Sequence, residues 1–380
     1  MLIIKGADVY APEHLGMMDV MVCGGKIEKM AGDIPVCYED CQVIDGRGKI
    51  LAPGIIDQHV HLTGGGGEGS FHARAPEASF SELIRGGVTT VVGLLGTDGI
   101  TRSVENLLAK VKALREEGIT AFCLTGSYGW PSVTVTGDVK KDIVFISEVL
   151  GLKLAVSDHR APNISVDELI RVASDVRVAG MLSGKPGIIT LHMGDDPRGL
   201  EPVFQALERT SIPIKTFRPT HVARNWDLFD QALKFGKMNG YIDITCDSGR
   251  EKKVAEALRR AQKAGVDLGR ITISSDGQGS WSDYDEEGNL VKIGVSSVSA
   301  VFRQIMDLVR CGELNLEQAF SIATANPAKA LELSAKGRIC PGADGDLLLI
   351  RRDNLALDMV LAMGRVMMEH GEPVVRGTFE

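Results

Sequence analysis

Residues 54–61 read Gly54-Ile55-Ile56-Asp57-Gln58-His59-Val60-His61. A short apolar run rich in β-branched residues ends in two histidines two positions apart. Strand spacing points both histidines to the same side, so both can face one metal ion. Seven more runs of this kind follow, at residues 88–96, 119–128, 152–158, 188–195, 214–222, 241–247 and 271–276. Stretches with helical spacing lie between them, at 103–117, 166–182, 227–238 and 252–264. Eight strands alternating with helices over about 285 residues point to an α/β fold, a (β/α)8 TIM-like barrel spanning 51–335. A doubly wound open sheet is the competing fold, but no GxGxxG follows an early strand. Residues 316–333 read as one helix carrying Asn326-Pro327.

The flanks have another rhythm. Residues 2–4, 20–23 and 26–30 are strand-like, with Gly24-Gly25 as a hairpin turn between the last two. Residues 43–45 and 49–51 flank Gly46-Arg47-Gly48 in the same way. At the other end, 346–350 reads as a buried strand, and 359–363 and 366–369 bracket Gly364-Arg365. Neither flank is long enough for a comfortable core of its own. The expectation is one small β-sandwich domain built jointly from 1–50 and 336–380.

Composition sets the class. Of 380 residues, 44% are hydrophobic and 24% charged, which is ordinary for a globular chain. The net charge of −8 argues against bulk binding of nucleic acid or an acidic membrane. No window is apolar for long enough to span a bilayer. The opening MLIIKGADVY carries no secretory pattern. Seven scattered cysteines fit a reduced, cytoplasmic protein. Cys37 and Cys41 invite a zinc reading, but no second pair accompanies them.

The eight histidines are His14, His59, His61, His72, His159, His192, His221 and His370. His59 and His61 end the first run, His192 sits near the end of the fifth and His221 near the end of the sixth, and Asp276 ends the eighth. In a barrel, that end is where side chains from different strands converge on the active site. Four imidazoles and a carboxylate exceed what one catalytic zinc with an open position needs. They suit two metals about 3.5–4 Å apart that activate a bridging water. An anionic bridge is then required. The fourth run offers Lys153 and Asp158. A plain ammonium has no lone pair, so chemistry alone favours Asp158. His14 and His370 fall in the terminal segments, His159 reads as a supporting group, and His72 finds no role.

The motif GIIDQHVH, followed by Gly64-Gly65-Gly66-Gly67-Glu68, resembles the isoaspartyl dipeptidases of the amidohydrolase superfamily. The likeness continues through Gly126-Ser127-Tyr128, Lys153 with Ser157-Asp158-His159-Arg160, His192-Met193-Gly194-Asp195, Pro219-Thr220-His221 with Arg224, and Ser274-Ser275-Asp276 with Ser280. It covers nearly the whole chain. The resemblance implies that Lys153, not Asp158, is the bridge, carboxylated by CO2 to a carbamate (N6-carboxylysine). It implies that His59, His61 and Asp276 hold one metal and that His192 and His221 hold the other. Two zinc ions are the family's usual complement, and nitrogen and oxygen ligands leave other divalent metals open.

A β-aspartyl dipeptide carries one ammonium and two carboxylates around its amide. The resemblance assigns Glu68 to the ammonium and Arg160 and Arg224 to the carboxylates, whose geometry suits a guanidinium fork. Gly66, Gly67, Thr97 and Ser280 correspond to further substrate contacts. A bridging hydroxide would attack the side-chain amide, with Asp276 moving the proton as base and then acid. Tyr128 would donate to the developing oxyanion. The family also forms homo-oligomers, octamers among them. Competing readings are a dihydropyrimidinase, hydantoinase or dihydroorotase opening a cyclic amide, a deacylase of N-acyl amino acids, and a scaffold without chemistry. A cyclic amide would not need Glu68 to hold a free ammonium.

Overall fold

The computed structural model describes residues 1–37, 40–246 and 251–380. Asp247, the last residue of the seventh expected strand, lies outside the described residues.

Both ends of the chain enter one nine-stranded sheet. Its joint is the antiparallel pairing of Lys49–Pro53 with Leu347–Arg351, Leu51 facing Leu349. Leu2, Ile4, Val20, Ile27, Leu51, Leu347 and Leu361 form a hydrophobic cluster separate from the main one. The N-terminal strand is longer than expected, Leu2–Tyr10. The Gly24-Gly25 hairpin forms, with Cys23 opposite Lys26. Gly46-Arg47-Gly48 does not make a hairpin. Gln42–Asp45 and Lys49–Pro53 both run parallel to Leu2–Tyr10, one after the other. The Gly46 N–H donates to Lys5 O at 2.8 Å, which holds the chain against the first strand and keeps its direction. The last hairpin also shifts by one residue. Ala362 faces Arg365, so Met363-Gly364 is the turn.

Eight parallel strands follow in chain order: Ile55–Val60, Val88–Gly93, Thr120–Gly126, Val149–Val156, Ile188–Met193, Phe217–Thr220, Ile242–Thr245 and Ile271–Ser274. The first six form one sheet with neighbours in sequence order, and the last two pair with each other. The groups touch on both sides. Val222 N–H donates to Asp243 O at 3.4 Å, and Val60 bridges Gly277 in parallel. The strands are buried on both faces, which is why they read as continuous apolar runs.

The helices between them pack one apolar stripe inward, as Val104, Leu107, Val111 and Leu114 do in Val104–Glu117. Their starts carry side-chain caps: Ser103, Asn225, and Ser165 in a reciprocal box with Glu168. Two expectations need correction. The fourth strand begins at Val149, so Lys153 lies in its middle rather than at its start. The helix expected over 316–333 is broken into Leu316–Ser321 and Ala325–Ala330. Thr324 between them has non-helical angles, and Pro327 removes an N–H while disfavouring helix just before it. An antiparallel hairpin, Ser280–Tyr284 with Leu290–Val295, follows the eighth strand and was not expected. Among the described residues, no helix is long and apolar enough to cross a membrane.

Candidate active site

The eight strands deliver their functional side chains to one end. His59 lies in the first strand and His61 just past it. Lys153 projects from the fourth, His192 from the fifth, and His221 and Asp276 follow the sixth and eighth. Asp276 Oδ1 lies 3.1 Å from His61 Nε2 and 3.4 Å from His59 Nε2. Lys153 Nζ lies 3.3 Å from His59 Nε2. The His221 ring centroid is 4.9 Å from that of His59 and 4.7 Å from that of His192. His221 and Asp276 both have left-handed backbones, with φ of 60° and 53°. Non-glycine residues adopt this at a cost of order 1 kcal/mol, and such strain clusters at functional sites.

Burial fixes the protonation states. His59, His192 and His221 are held well below the ordinary histidine pKa, first by desolvation, so each keeps a lone pair at neutral pH. Desolvation also pulls fully buried Lys153 down to about 7, against the attraction of Asp276. Burial pushes the Tyr128 hydroxyl up, so it stays a donor. These groups suit a metal. Donor atoms of His59, His221 and Asp276 lie within 4.8 Å of one another, and this group can hold an ion. His59 Nδ1 and His61 Nδ1 are buried without a hydrogen-bond partner, so neither ring is committed to another contact through that atom. His192 is placed differently. Its Nδ1 lies 2.6 Å from the Tyr128 hydroxyl and its Nε2 3.1 Å from Asp158 Oδ2.

Asp158, the bridge that chemistry alone favoured, faces other partners. Arg160 grips both its oxygens at 2.9 Å, and Arg224 Nη1 stands 3.7 Å away. Burial opposes its ionisation, but the bonds from His192 and Arg160 outweigh it and hold the carboxyl far below the usual range.

A cavity of about 300 Å3 opens beside the cluster, within the range of small-molecule sites. Gly66, Glu68, Thr97, Tyr128, Arg160, Arg224 and Ser280 line it. Gly67 does not; its N–H donates to Ala73 O at 3.0 Å instead. Glu68 is the hub. Ser280 Oγ lies 3.0 Å from both its oxygens, Thr97 Oγ1 donates at 3.2 Å, and Arg160 Nη1 approaches to 3.3 Å. His159 borders the cavity and meets the Tyr284 ring edge-on at 4.9 Å. His72 sits in the short turn Phe71–Ala73, away from the cavity wall.

Sequence reasoning missed the support beneath the histidines. Thr245 Oγ1 lies 2.6 Å from His221 Nδ1. Asp243 accepts from Gln58 (2.7 Å), Thr272 (2.8 Å), Thr220 (2.7 Å) and Ser274 (2.6 Å). A signal existed. Asp243 and Thr245 alternate with Ile242 and Ile244, which marks an inward polar face.

Parallel strands collect imidazoles, a lysine and a carboxylate at one end, a donor set that could hold a metal ion. The chain belongs to the amidohydrolase family, whose sequence model matches residues 50–367. Within it, the chain is similar to the β-aspartyl dipeptidase of Fervidobacterium islandicum AW-1, crystallised in complex with β-Asp-Leu. Identity is 44%, each chain is covered over 98%, and the TM-score is 0.93. The dihydropyrimidinase of Brevibacillus agri shares the fold at 18% identity and a TM-score of 0.68, over 99% of this chain and 96% of that one. A dihydroorotase of Syntrophus aciditrophicus is 23% identical over 92% of this chain and 89% of its own. The resemblance read from the motifs therefore extends over essentially the full length.

Proposed function

We propose that the protein hydrolyses β-aspartyl (isoaspartyl) dipeptides in a dinuclear zinc site. The observation that carries this is the seating of Glu68. An anionic side chain is fixed by Thr97 and Ser280 at the wall of a cavity that also holds Arg160 and Arg224. One anion and two cations match the ammonium and two carboxylates of such a substrate, and the 44% identical relative was crystallised with β-Asp-Leu.

His59, His61 and Asp276 would hold one metal, His192 and His221 the other, and a carbamate on Lys153 would bridge them. Other divalent ions suit the same donors. Metal bound there would supply an acidified water and polarise the amide carbonyl. Glu68 receives the substrate ammonium through a charge-assisted bond. Arg160 and Arg224 orient the carboxylates, Arg160 itself aligned by Asp158. The Asp276 carboxylate takes a proton from the attacking water and returns it to the leaving nitrogen. The Tyr128 hydroxyl donates to the carbonyl oxygen as it gains charge. Ligation by His192 requires the contacts at one of its ring nitrogens, Tyr128 at Nδ1 or Asp158 and Arg160 at Nε2, to give way.

In this reading, residues 51–335 form a complete (β/α)8 barrel and 1–50 with 336–380 a small β-sandwich domain. The protein is cytoplasmic and homo-oligomeric, and binds neither nucleic acid nor membrane. The test is release of aspartate from β-Asp-Leu by zinc-loaded protein, with α-Asp-Leu and dihydrouracil in parallel. Cleavage of the β-linked peptide alone is expected. Activity on dihydrouracil alone would replace the substrate with a cyclic amide.

A further inference from the structure

Glu68 is delivered by a loop whose two limbs touch backbone to backbone. Gly67 N–H donates to Ala73 O and Ala75 N–H to Gly65 O, both at 3.0 Å, and Gly66 bridges Arg74. A Cβ at Gly64 would stand 2.2 Å from Ala75 O, and one at Gly66 would stand 2.3 Å from Ala73 O. Limbs this close leave carbonyls from both sides pointing into one buried space. Converging carbonyl dipoles repel unless a donor lies between them.

Arg102 fills that space. It stands two residues before the helix Val104–Glu117 and is 7% exposed. Its Nη1 donates to Thr63 O, and its Nη2 donates to Gly65 O at 3.2 Å and Ala75 O at 2.9 Å. Among the described residues, no carboxylate forms a salt bridge with it. Its fork is directed at backbone alone, one limb through Thr63 and Gly65 and the other through Ala75. A lysine carries its three donors on one nitrogen and lacks the planar fork that reaches Thr63 O from one arm and Gly65 O and Ala75 O from the other.

We propose that Arg102 is a positioning residue for substrate binding: by clamping Thr63, Gly65 and Ala75 it sets the loop that presents Glu68 to the cavity. This rests on Glu68 being the ammonium anchor. Arg102 does not line the cavity. Its effect passes through Glu68, so it falls on substrate binding and leaves the metal centre unaltered.

The test uses the full-length, zinc-loaded protein with β-Asp-Leu and compares R102K, E68Q and the double variant. R102K is expected to raise KM by about tenfold or more with kcat held within about threefold, the pattern of lost binding. The double variant should be no worse than E68Q, because coupled residues acting through one contact are not additive. Metal content should match the parent protein, and amide hydrogen exchange should quicken in residues 64–75 while the parallel strands stay protected. An unchanged KM in R102K, or losses that simply add in the double variant, would overturn the proposal. If E68Q itself cleaves normally, the anchor reading has failed. If E68Q is damaged and R102K is normal, only the role of Arg102 has failed. Should R102K not fold, R102Q carries the same comparison, and unfolding of both would make Arg102 purely structural and end the proposal.

Discussion

The Tyr128 hydroxyl lies 2.6 Å from His192 Nδ1, while Nε2 of the same ring lies 3.1 Å from Asp158. A neutral imidazole can accept at one nitrogen and donate at the other, so this chain ties Tyr128 to the Asp158–Arg160 pair. The phenol has a fixed place at the cavity wall and, being buried, keeps its proton. Tyr128→Phe removes the donor and little volume. It should lower kcat on β-Asp-Leu by about 10²–10³, the usual loss for one oxyanion donor, with KM little changed. Steady-state kinetics on a variant with parental circular dichroism checks this. An unchanged kcat would remove Tyr128 from the reaction.

Lys153 has no exposed surface and stands between His59 and the Tyr128 ring, 3.3 Å from Nε2 of the first and 5.6 Å from the centroid of the second. An ammonium there would be desolvated among three neutral histidines, which is the wrong charge for a cation site. Lys153→Ala removes the proposed bridge and leaves a small void. Bound metal should fall and activity drop by more than about 100-fold, since even outer partners of metal ligands account for 10–100-fold. A short carboxylic acid such as propionate should restore part of both by entering the void. Metal analysis with and without propionate is the measurement. Full metal and full activity in the alanine variant would rule out the carbamate.

Much of this was legible in the sequence, for identifiable reasons. Strands buried on both faces advertise themselves as apolar runs, and all eight parallel strands lie where such runs occur. The fourth strand starts earlier than its expected run because Gly151 looks foreign to a strand interior. The Ser280–Tyr284 hairpin was hidden by its acidic, glycine-containing tip at 285–288, which reads as loop. Histidine placement followed from strand ends. Glu68 is different. Its partners Thr97 and Ser280 are 29 and 212 residues away, so only resemblance to a family could join them. Arg102 was invisible because its partners are backbone carbonyls, which leave no pattern in side chains.

Acid stability should carry the signature of Glu148. Its side chain is 7% exposed and accepts from Lys112 Nζ at 2.9 Å and Ser147 Oγ at 2.8 Å. Burial alone would raise its pKa, but those bonds outweigh it and hold the carboxyl at about 2, below its ordinary 4.5. A depressed carboxyl stabilises the fold fully above the unfolded value and loses that contribution as pH falls through the folded one. The window is therefore from about pH 4.5 down to about pH 2. Lys112 is 53% exposed and screened, so the contribution is about 1 kcal/mol. Glu148→Gln should lower stability at pH 7 by that amount and flatten the acid limb of a urea-midpoint profile. A limb as steep as in the parent would place the titrating group elsewhere.

Lys336 joins the C-terminal segment to the parallel strands. Its side chain is 6% exposed, and Nζ lies 2.8 Å from Asp344, 2.6 Å from Asp346 and 2.6 Å from Thr120 at the start of the third strand. Asp346 is equally buried and also accepts from Met363 N–H at 2.7 Å. Asp344 also pairs with Lys26, whereas Asp346 has Lys336 as its cation, so removing Lys336 strands the buried Asp346 carboxylate. Lys336→Met should destabilise by about 3–5 kcal/mol, the range for breaking a buried pair from one side. Replacing the stranded acid as well, in a variant combining Lys336→Met with Asp346→Asn, should recover much of the loss, because Asp344 keeps Lys26 and no buried charge is left uncompensated. Urea denaturation of the three proteins at neutral pH decides it. A loss below about 1 kcal/mol in the single variant would mean that water reaches the cluster and that it behaves as a surface pair.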